Sequence, residues 1–185
     1  MVLEVFHNAN SPNWDIASTC KISGVDGLVL IEAKAHQAEL SHSGKTRPTT
    51  LNGWKNHNRI GCAISEASAE LQFATQSRWA LSRDLSYQMS NRFTWAWKLA
   101  SMGIPVVLVY LGFLNAYEME KNSPIFKTHQ SWAESVKGHS EPLFKPAVWG
   151  KPVDIDGTPI ISIIRSTTER FYSHELHSDI NEGNE

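Results

Sequence analysis

Residues 27–36 read Gly-Leu-Val-Leu-Ile-Glu-Ala-Lys-Ala-His, and the way this apolar run ends decides the reading of the fold. A strand alternates its side chains, so Leu28, Leu30, Glu32, Lys34 and His36 share one face, while Val29, Ile31, Ala33 and Ala35 take the other. The second set is expected to be core. The first set places a carboxylate beside an ammonium at the end of an otherwise apolar strand. Burying charge costs several kcal/mol unless it is paired or bound to a metal. From the triplet alone, an ion pair at a sheet edge and a site whose chemistry needs both charges are equally open.

Working outward, Asp15 to Ile22 reads as a second strand, and Ser23-Gly-Val-Asp-Gly27 has the turn chemistry to join the two as a hairpin. His7 to Trp14 is a polar, turn-rich approach to it. After His36, Ser41 to Asn56 reads as a mobile loop rich in Gly, Pro, Thr and Asn. Ile60 to Phe73 has helical spacing, with Ile60, Ala63, Ile64, Ala67 and Leu71 on one side. Asp84 to Met102 is the strongest helix. Met89, Phe93, Ala96, Trp97 and Ala100 cluster on one side of it, with Tyr87, Gln88, Asn91, Trp95 and Lys98 in a separate quadrant. Gly103 and Pro105 end it. Val106 to Phe113 is continuously apolar, which predicts a strand buried on both faces. A short helix is expected around Gln130 to Val136, and a late edge strand over Pro159 to Arg165. Passing from the Glu/Lys strand through helices to another apolar strand is a crossover, so part of the sheet should be parallel. The expectation is an α/β chain forming one domain over residues 1–172. It has a mixed central sheet with helices packed on its faces and a frayed acidic tail over 173–185.

Composition narrows the function classes. A chain of 185 residues, 41% apolar and 19% charged, has the length and core content of one soluble domain. Cys20 and Cys62 stand far apart without a C-x-x-C pairing, which argues against a disulfide framework or zinc site. The N-terminus lacks the pattern of a signal peptide, and the longest apolar stretch, Ile104 to Leu114, is too short to span a membrane. A cytoplasmic protein with no membrane association is expected. From Ser41 to Ala100, Lys45, Arg47, Lys55, Arg59, Arg78, Arg83, Arg92 and Lys98 face only Glu66, Glu70 and Asp84, a local balance of +5. The stretch from Thr168 is acidic. A basic middle permits a polyanionic partner without demonstrating one. There is no Gly-x-Ser-x-Gly elbow and no Gly-Lys-Ser/Thr phosphate loop. His36 and His42 lack the cysteine partners of a structural zinc site.

Three residues line up: Asp15, then Glu32 and Lys34 beyond the hairpin turn. With Pro12-Asn-Trp-Asp15, Ile31-Glu-Ala-Lys-Ala-His36 and Tyr87-Gln-Met-Ser-Asn-Arg92, this pattern resembles the PD-(D/E)XK nuclease superfamily and an uncharacterised bacterial group within it. That superfamily's signature is an acidic residue, a variable gap, then acid-x-Lys on a hairpin strand. The resemblance covers about the first two thirds of the chain. It implies a restriction-endonuclease-like core and a metal-dependent nuclease, with DNA as the leading substrate. Asp15, Glu32 and the Ala33 backbone carbonyl would bind Mg²⁺ or Mn²⁺, and Lys34 would complete the catalytic set. Proteins of this fold often dimerise, so a homodimer is a further expectation. The proline usually found before the first acid is absent, as Trp14 precedes Asp15. Asp26 competes for the role of first ligand.

The chemistry has a reason independent of the family. Two carboxylates make a hard oxygen site suited to Mg²⁺, which lowers the pKa of bound water and polarises a phosphate. A lysine point charge can orient the attacking water and meet the developing oxyanion. On that reading Glu32→Gln loses metal and cleavage with the fold intact. His36, Gln88, Asn91 and Tyr87 are the candidates for supporting or substrate contacts. Trp95 could stack on a base or pack in the core. Glu66 and Glu70 could add a metal carboxylate or form a solvated helix face. Lys45, Arg47 and Lys55 could hold a nucleic-acid backbone. The alternative function is a non-catalytic nucleic-acid- or protein-binding module that keeps the fold.

Overall fold

The computed structural model describes residues 13–121 and 123–168; the polar approach before Asn13 and the acidic tail expected after residue 172 lie outside them. Strands β1 (Ile16–Ile22) and β2 (Val25–Lys34) form the expected antiparallel hairpin. Its turn is tighter than the sequence reading. Ser23 and Gly24 alone make it, with φ of 50° and 84°, the left-handed pair that matches strand twist in a two-residue hairpin loop. Asp26 therefore lies in β2, paired across to Lys21.

The crossover from β2 carries helices α1 (Leu51–Thr75) and α2 (Tyr87–Ser101) before strand β3 (Val106–Leu114). Helix α3 (His129–Ser140) then leads to a second hairpin, β4 (Pro152–Ile155) and β5 (Thr158–Thr168). The result is one mixed five-stranded sheet in the order β1-β2-β3-β5-β4. β2, β3 and β5 run parallel, and each edge strand pairs antiparallel. The α/β class and the mixed sheet are as expected. Among the described residues, no helix is long and apolar enough to cross a membrane.

Several boundaries differ for physical reasons. Residues 51–56 of the loop expected over 41–56 are the start of α1, which Thr50 begins by accepting a hydrogen bond from the Gly53 amide at 3.1 Å. Asn52, Gly53, Asn56 and Asn58 are poor helix formers that hide this start. Thr128 caps α3 in the same way through the Ser131 amide, extending that helix at both ends. β5 is not an edge. The short β4 occupies the edge, and Pro159 is tolerated because it is only the second residue of β5.

The larger correction concerns which face is core. The sheet residues of the core cluster are Leu30, Val106, Leu108, Tyr110, Val153, Ile155, Ile160 and Ile164, and the registers place all of them on the side of Glu32 and Lys34. The core sides of all three helices belong to the same cluster, including Ile64, Ala67 and Leu71 of α1, Phe93, Ala96 and Trp97 of α2, and Trp132 and Val136 of α3. Val29, Ile31, Ala33 and Ala35, expected to be core, are half-buried on the opposite face. β3 alternates between buried and half-buried positions along most of its length and is not covered on both sides. The described helices thus form one layer on one face. Phe93, Phe144, Trp79 and Trp149 close that layer with ring centroids 4.6–5.9 Å apart.

Gly112 is where α3 approaches the sheet most closely. A Cβ built there would lie 2.7 Å from the indole of Trp132, which is fully buried. Gly112→Ala is expected to cost about 1–3 kcal/mol by overpacking, read from urea unfolding followed by tryptophan fluorescence. An unchanged midpoint would contradict this packing.

Candidate active site

Glu32 is 2% exposed, and Lys34 and Arg92 are each 7% exposed. The carboxylate is held from two elements. From its own strand, Lys34 Nζ donates to Oε1 at 2.5 Å. From α2, Gln88 Nε2 donates to Oε1 at 2.6 Å and Arg92 Nε to Oε2 at 2.5 Å. Gln88 and Arg92 stand four residues apart, one helical turn, so both meet the same carboxylate as α2 crosses the sheet. Arg92 also donates from Nη2 to the Asn13 carbonyl at 2.8 Å, and its guanidinium lies 4.6 Å over the Trp14 ring. The chain entering β1 is therefore anchored to the group that holds Glu32.

Asp15 arrives at the same place from β1. Extending the register one pair beyond Ile16 and Ile31 sets Asp15 opposite Glu32. Its amide bonds the Ile31 carbonyl at 3.2 Å, and its Oδ2 accepts from the Ala33 amide at 2.7 Å. The exposed Asp15 carboxylate thus binds the residue between Glu32 and Lys34. Asp26 is six residues back along β2, about 20 Å away at the rise of a strand, and pairs with Lys21 at 2.7 Å on the surface.

The supporting candidates divide. Gln88 joins the cluster; Asn91, half-buried, makes no hydrogen bond to it. Tyr87 lies beneath Lys45, whose Nζ is 4.9 Å from the ring centroid. His36 starts a short 3-10 turn, where Glu39 accepts from the Ala35 and His36 amides at 2.6 and 3.1 Å. Its ring is 3.9 Å from Glu39 and not on Glu32. Trp95 is half-buried, and Glu66, Glu70, Arg47 and Lys55 are exposed. A cleft of about 590 Å³ at the ends of β3 and β5, lined by Ala35, Phe113, Asn115, Tyr117 and Thr168 among others, contains none of Asp15, Glu32 and Lys34.

Sequence reasoning missed three participants. Arg92, which closes the Tyr87–Arg92 stretch and counts toward the local positive charge, is given no site role by the sequence reading, although its spacing from Gln88 puts both on one helix face. Tyr110 pairs with Glu32 in the β2/β3 register, and its buried hydroxyl has no hydrogen-bond partner among the described residues. Burial and the Glu32 charge hold its pKa well above the ordinary range, against the opposing pull of Arg92. His139 of α3 is 7% exposed. Burial, then the proximity of His42 and Lys34, pushes its pKa down to about 4. No local sequence signal links His139 to Lys34.

Among the described residues, no three His, Cys, Asp or Glu side chains gather as a metal cage. The donor set still fits a hard cation in kind: Asp15, whose Oδ1 bonds none of the described residues, Glu32 and the Ala33 carbonyl. Glu32 already receives three N–H donors, out of roughly four acceptor positions on a carboxylate. Two of these donors are cationic, so a metal at Glu32 would take the one remaining acceptor position or displace a donor.

Two outcomes follow from this geometry. Contrary to the sequence expectation, Glu32→Gln should not leave the fold intact. It strips neutralisation from Lys34 and Arg92 and should cost about 3 kcal/mol or more in urea unfolding. The second concerns His139, whose folded pKa lies below the unfolded value of 6.5. Its contribution is present above pH 6.5 and is lost as pH falls toward 4, because the unfolded chain binds the proton first. Wild type should lose on the order of 1–2 kcal/mol more than His139→Gln between pH 7 and pH 5, and parallel stability curves would refute this.

Comparison with protein-family models, with curated proteins and with solved structures yields no match, so the site is defined by its own geometry.

Proposed function

We propose that the chain is a metal-dependent nuclease, hydrolysing phosphodiester bonds with DNA as its substrate, on a restriction-endonuclease-like core. The observation that carries this reading is the 2.7 Å bond from the Ala33 amide to Asp15, which brings a second carboxylate to the Glu32–Lys34 step. Asp15, Glu32 and the Ala33 carbonyl would hold Mg²⁺ or Mn²⁺. Such an ion, when bound, lowers the pKa of a water and polarises the phosphoryl group. Lys34 presents a compact ammonium to orient the attacking water and meet charge developing on phosphate oxygens. Gln88 and Arg92 position Glu32 through direct hydrogen bonds. Lys45, Arg47 and Lys55 supply cations for the nucleic-acid backbone, and binding should weaken as salt rises. A homodimer is part of the proposal as the assembly common to the fold.

One observation favours a second reading. Glu32 is held by Lys34, Gln88 and Arg92, two of them cationic, as a self-contained structural network would be. A non-catalytic nucleic-acid- or protein-binding module needs nothing more from these residues.

Calorimetry with Mn²⁺ and incubation with plasmid and single-stranded DNA separate the two. The nuclease should bind the ion, and EDTA should stop its cleavage. Asp15→Asn, which keeps an acceptor for the Ala33 amide, should abolish the binding heat. Lys34→Ala should retain that heat and lose at least about 10²-fold in rate. Cleavage by both variants at the wild-type rate would remove Asp15 and Lys34 from the site, and absence of both heat and cleavage in wild type would favour the binding module.

A further inference from the structure

At the start of α2, two residues before Gln88, lies a second side-chain cluster that the proposed hydrolysis leaves unused. His42 follows β2 and is exposed, yet it is held at two points by one residue. Its carbonyl accepts from the Ser86 amide at 3.0 Å, and its ring Nδ1 is hydrogen-bonded to Ser86 Oγ at 2.7 Å. Ser86 is fully buried and keeps a left-handed backbone, φ 46°, directly before α2. A non-glycine residue in that conformation is strained, and such strain concentrates at functional sites. The other side of the His42 ring packs on His139, with centroids 4.3 Å apart. Ser86 lies two residues before Gln88, whose side chain bonds Glu32 at 2.6 Å, so the contacts of His42 with Ser86 tie the histidine pair to the end of α2 that reaches the carboxylate.

We infer that His42 is the general acid that protonates the leaving oxygen of the phosphodiester, an inference that rests on the hydrolytic reading above. Ser86 occupies Nδ1, which leaves Nε2 as the ring nitrogen available to a substrate. A serine hydroxyl either donates or accepts, so it serves the imidazolium and the neutral ring alike. His139 remains neutral at working pH and gives His42 a packing surface that does not repel its charge. The other groups near Glu32 are poor proton donors to an alkoxide. Lys34 is committed to Glu32, a guanidinium does not release its proton, and the Tyr110 hydroxyl is fully enclosed. Histidine is the side chain that ordinarily changes charge near neutral pH. In the step, a water oxygen bonds to phosphorus and the bond to the leaving oxygen breaks with its electron pair. That oxygen takes the Nε2 proton of His42. The water's proton passes to solvent, and the exposed imidazole regains one from solvent.

The test compares two substrates with the full chain and Mn²⁺: plasmid DNA, whose alkoxide needs a proton, and bis(p-nitrophenyl) phosphate, whose nitrophenolate leaves without one. His42→Gln should lose about 10²-fold on DNA and stay within about threefold of wild type on the ester. Ser86→Ala should show a smaller loss, on DNA alone, because the ring is then less well fixed. His42→Asn, which keeps an amide near Ser86, checks that the effect is not loss of the loop. Equal losses on both substrates would assign His42 a structural role and overturn the inference. Undiminished DNA cleavage by His42→Gln would overturn it while leaving the nuclease reading intact. A wild type inactive on both substrates would overturn both.

Discussion

The constraint on which the rest of this structure depends is the neutralisation of one buried carboxylate. Glu32 is almost fully enclosed and would be untenable in a sheet core without Lys34 at 2.5 Å and Arg92 at 2.5 Å. Arg92 lies on α2, so the requirement that it reach Glu32 fixes where that helix crosses the sheet and how it is rotated about its axis. The same guanidinium holds the Asn13 carbonyl and covers Trp14. The position of the chain that delivers Asp15 is therefore a consequence of the same charge pairing. Buried ion pairs contribute little net stability and are costly to break. A cluster of this kind acts chiefly on specificity of arrangement, and here it couples three separate segments at one point.

Arrangement and chemistry are in tension at Glu32. The three donors that make its burial tolerable also occupy most of the lone pairs that a metal would use, while Asp15 remains exposed. The site is thus asymmetric, with one carboxylate locked and one open. Around the lock, Tyr110 and His139 have burial-shifted proton affinities, and both favour the neutral form at ordinary pH. These two neutral, buried groups add no competing charge around Glu32, Lys34 and Arg92, and low polarity there strengthens the interactions among them.

The strand periodicity of residues 27–36, the helix over the nineties and the apolar β3 were legible because each carries many side chains in one period. Asp15, Glu32 and Lys34 were legible as a group because a hairpin is local in sequence, whereas Gln88, 56 residues from Glu32, entered only through the family resemblance. Which side of the sheet became core was not. Alternation yields two faces, Leu28/Leu30/Glu32/Lys34 and Val29/Ile31/Ala33/Ala35, and because the former carries the charges, the uncharged face passes for the interior. The structure reverses this because Arg92 and Gln88 compensate Glu32, and compensation from a helix 60 residues away leaves no trace in the local pattern. The start of α1 was hidden by asparagines and Gly53, whose weak propensity is overridden by the Thr50 cap and by packing farther along.

The amino-acid sequence by itself determined most of the elements and their order, β4 excepted: a hairpin, two helices, a buried strand, a short helix and a closing strand, with an acid and a lysine two residues apart at the end of β2. It did so because periodicity, capping and turn chemistry are short-range. Only the tertiary structure decided that the Glu32 face is covered by helices, that Arg92 is its counterion, and that His42, Ser86 and His139 gather at the start of α2. Those relations come from residues tens of positions apart whose charges and rings meet only after the sheet has formed. Burial, which makes an unpaired charge costly, is a property of the whole fold and of no segment in it.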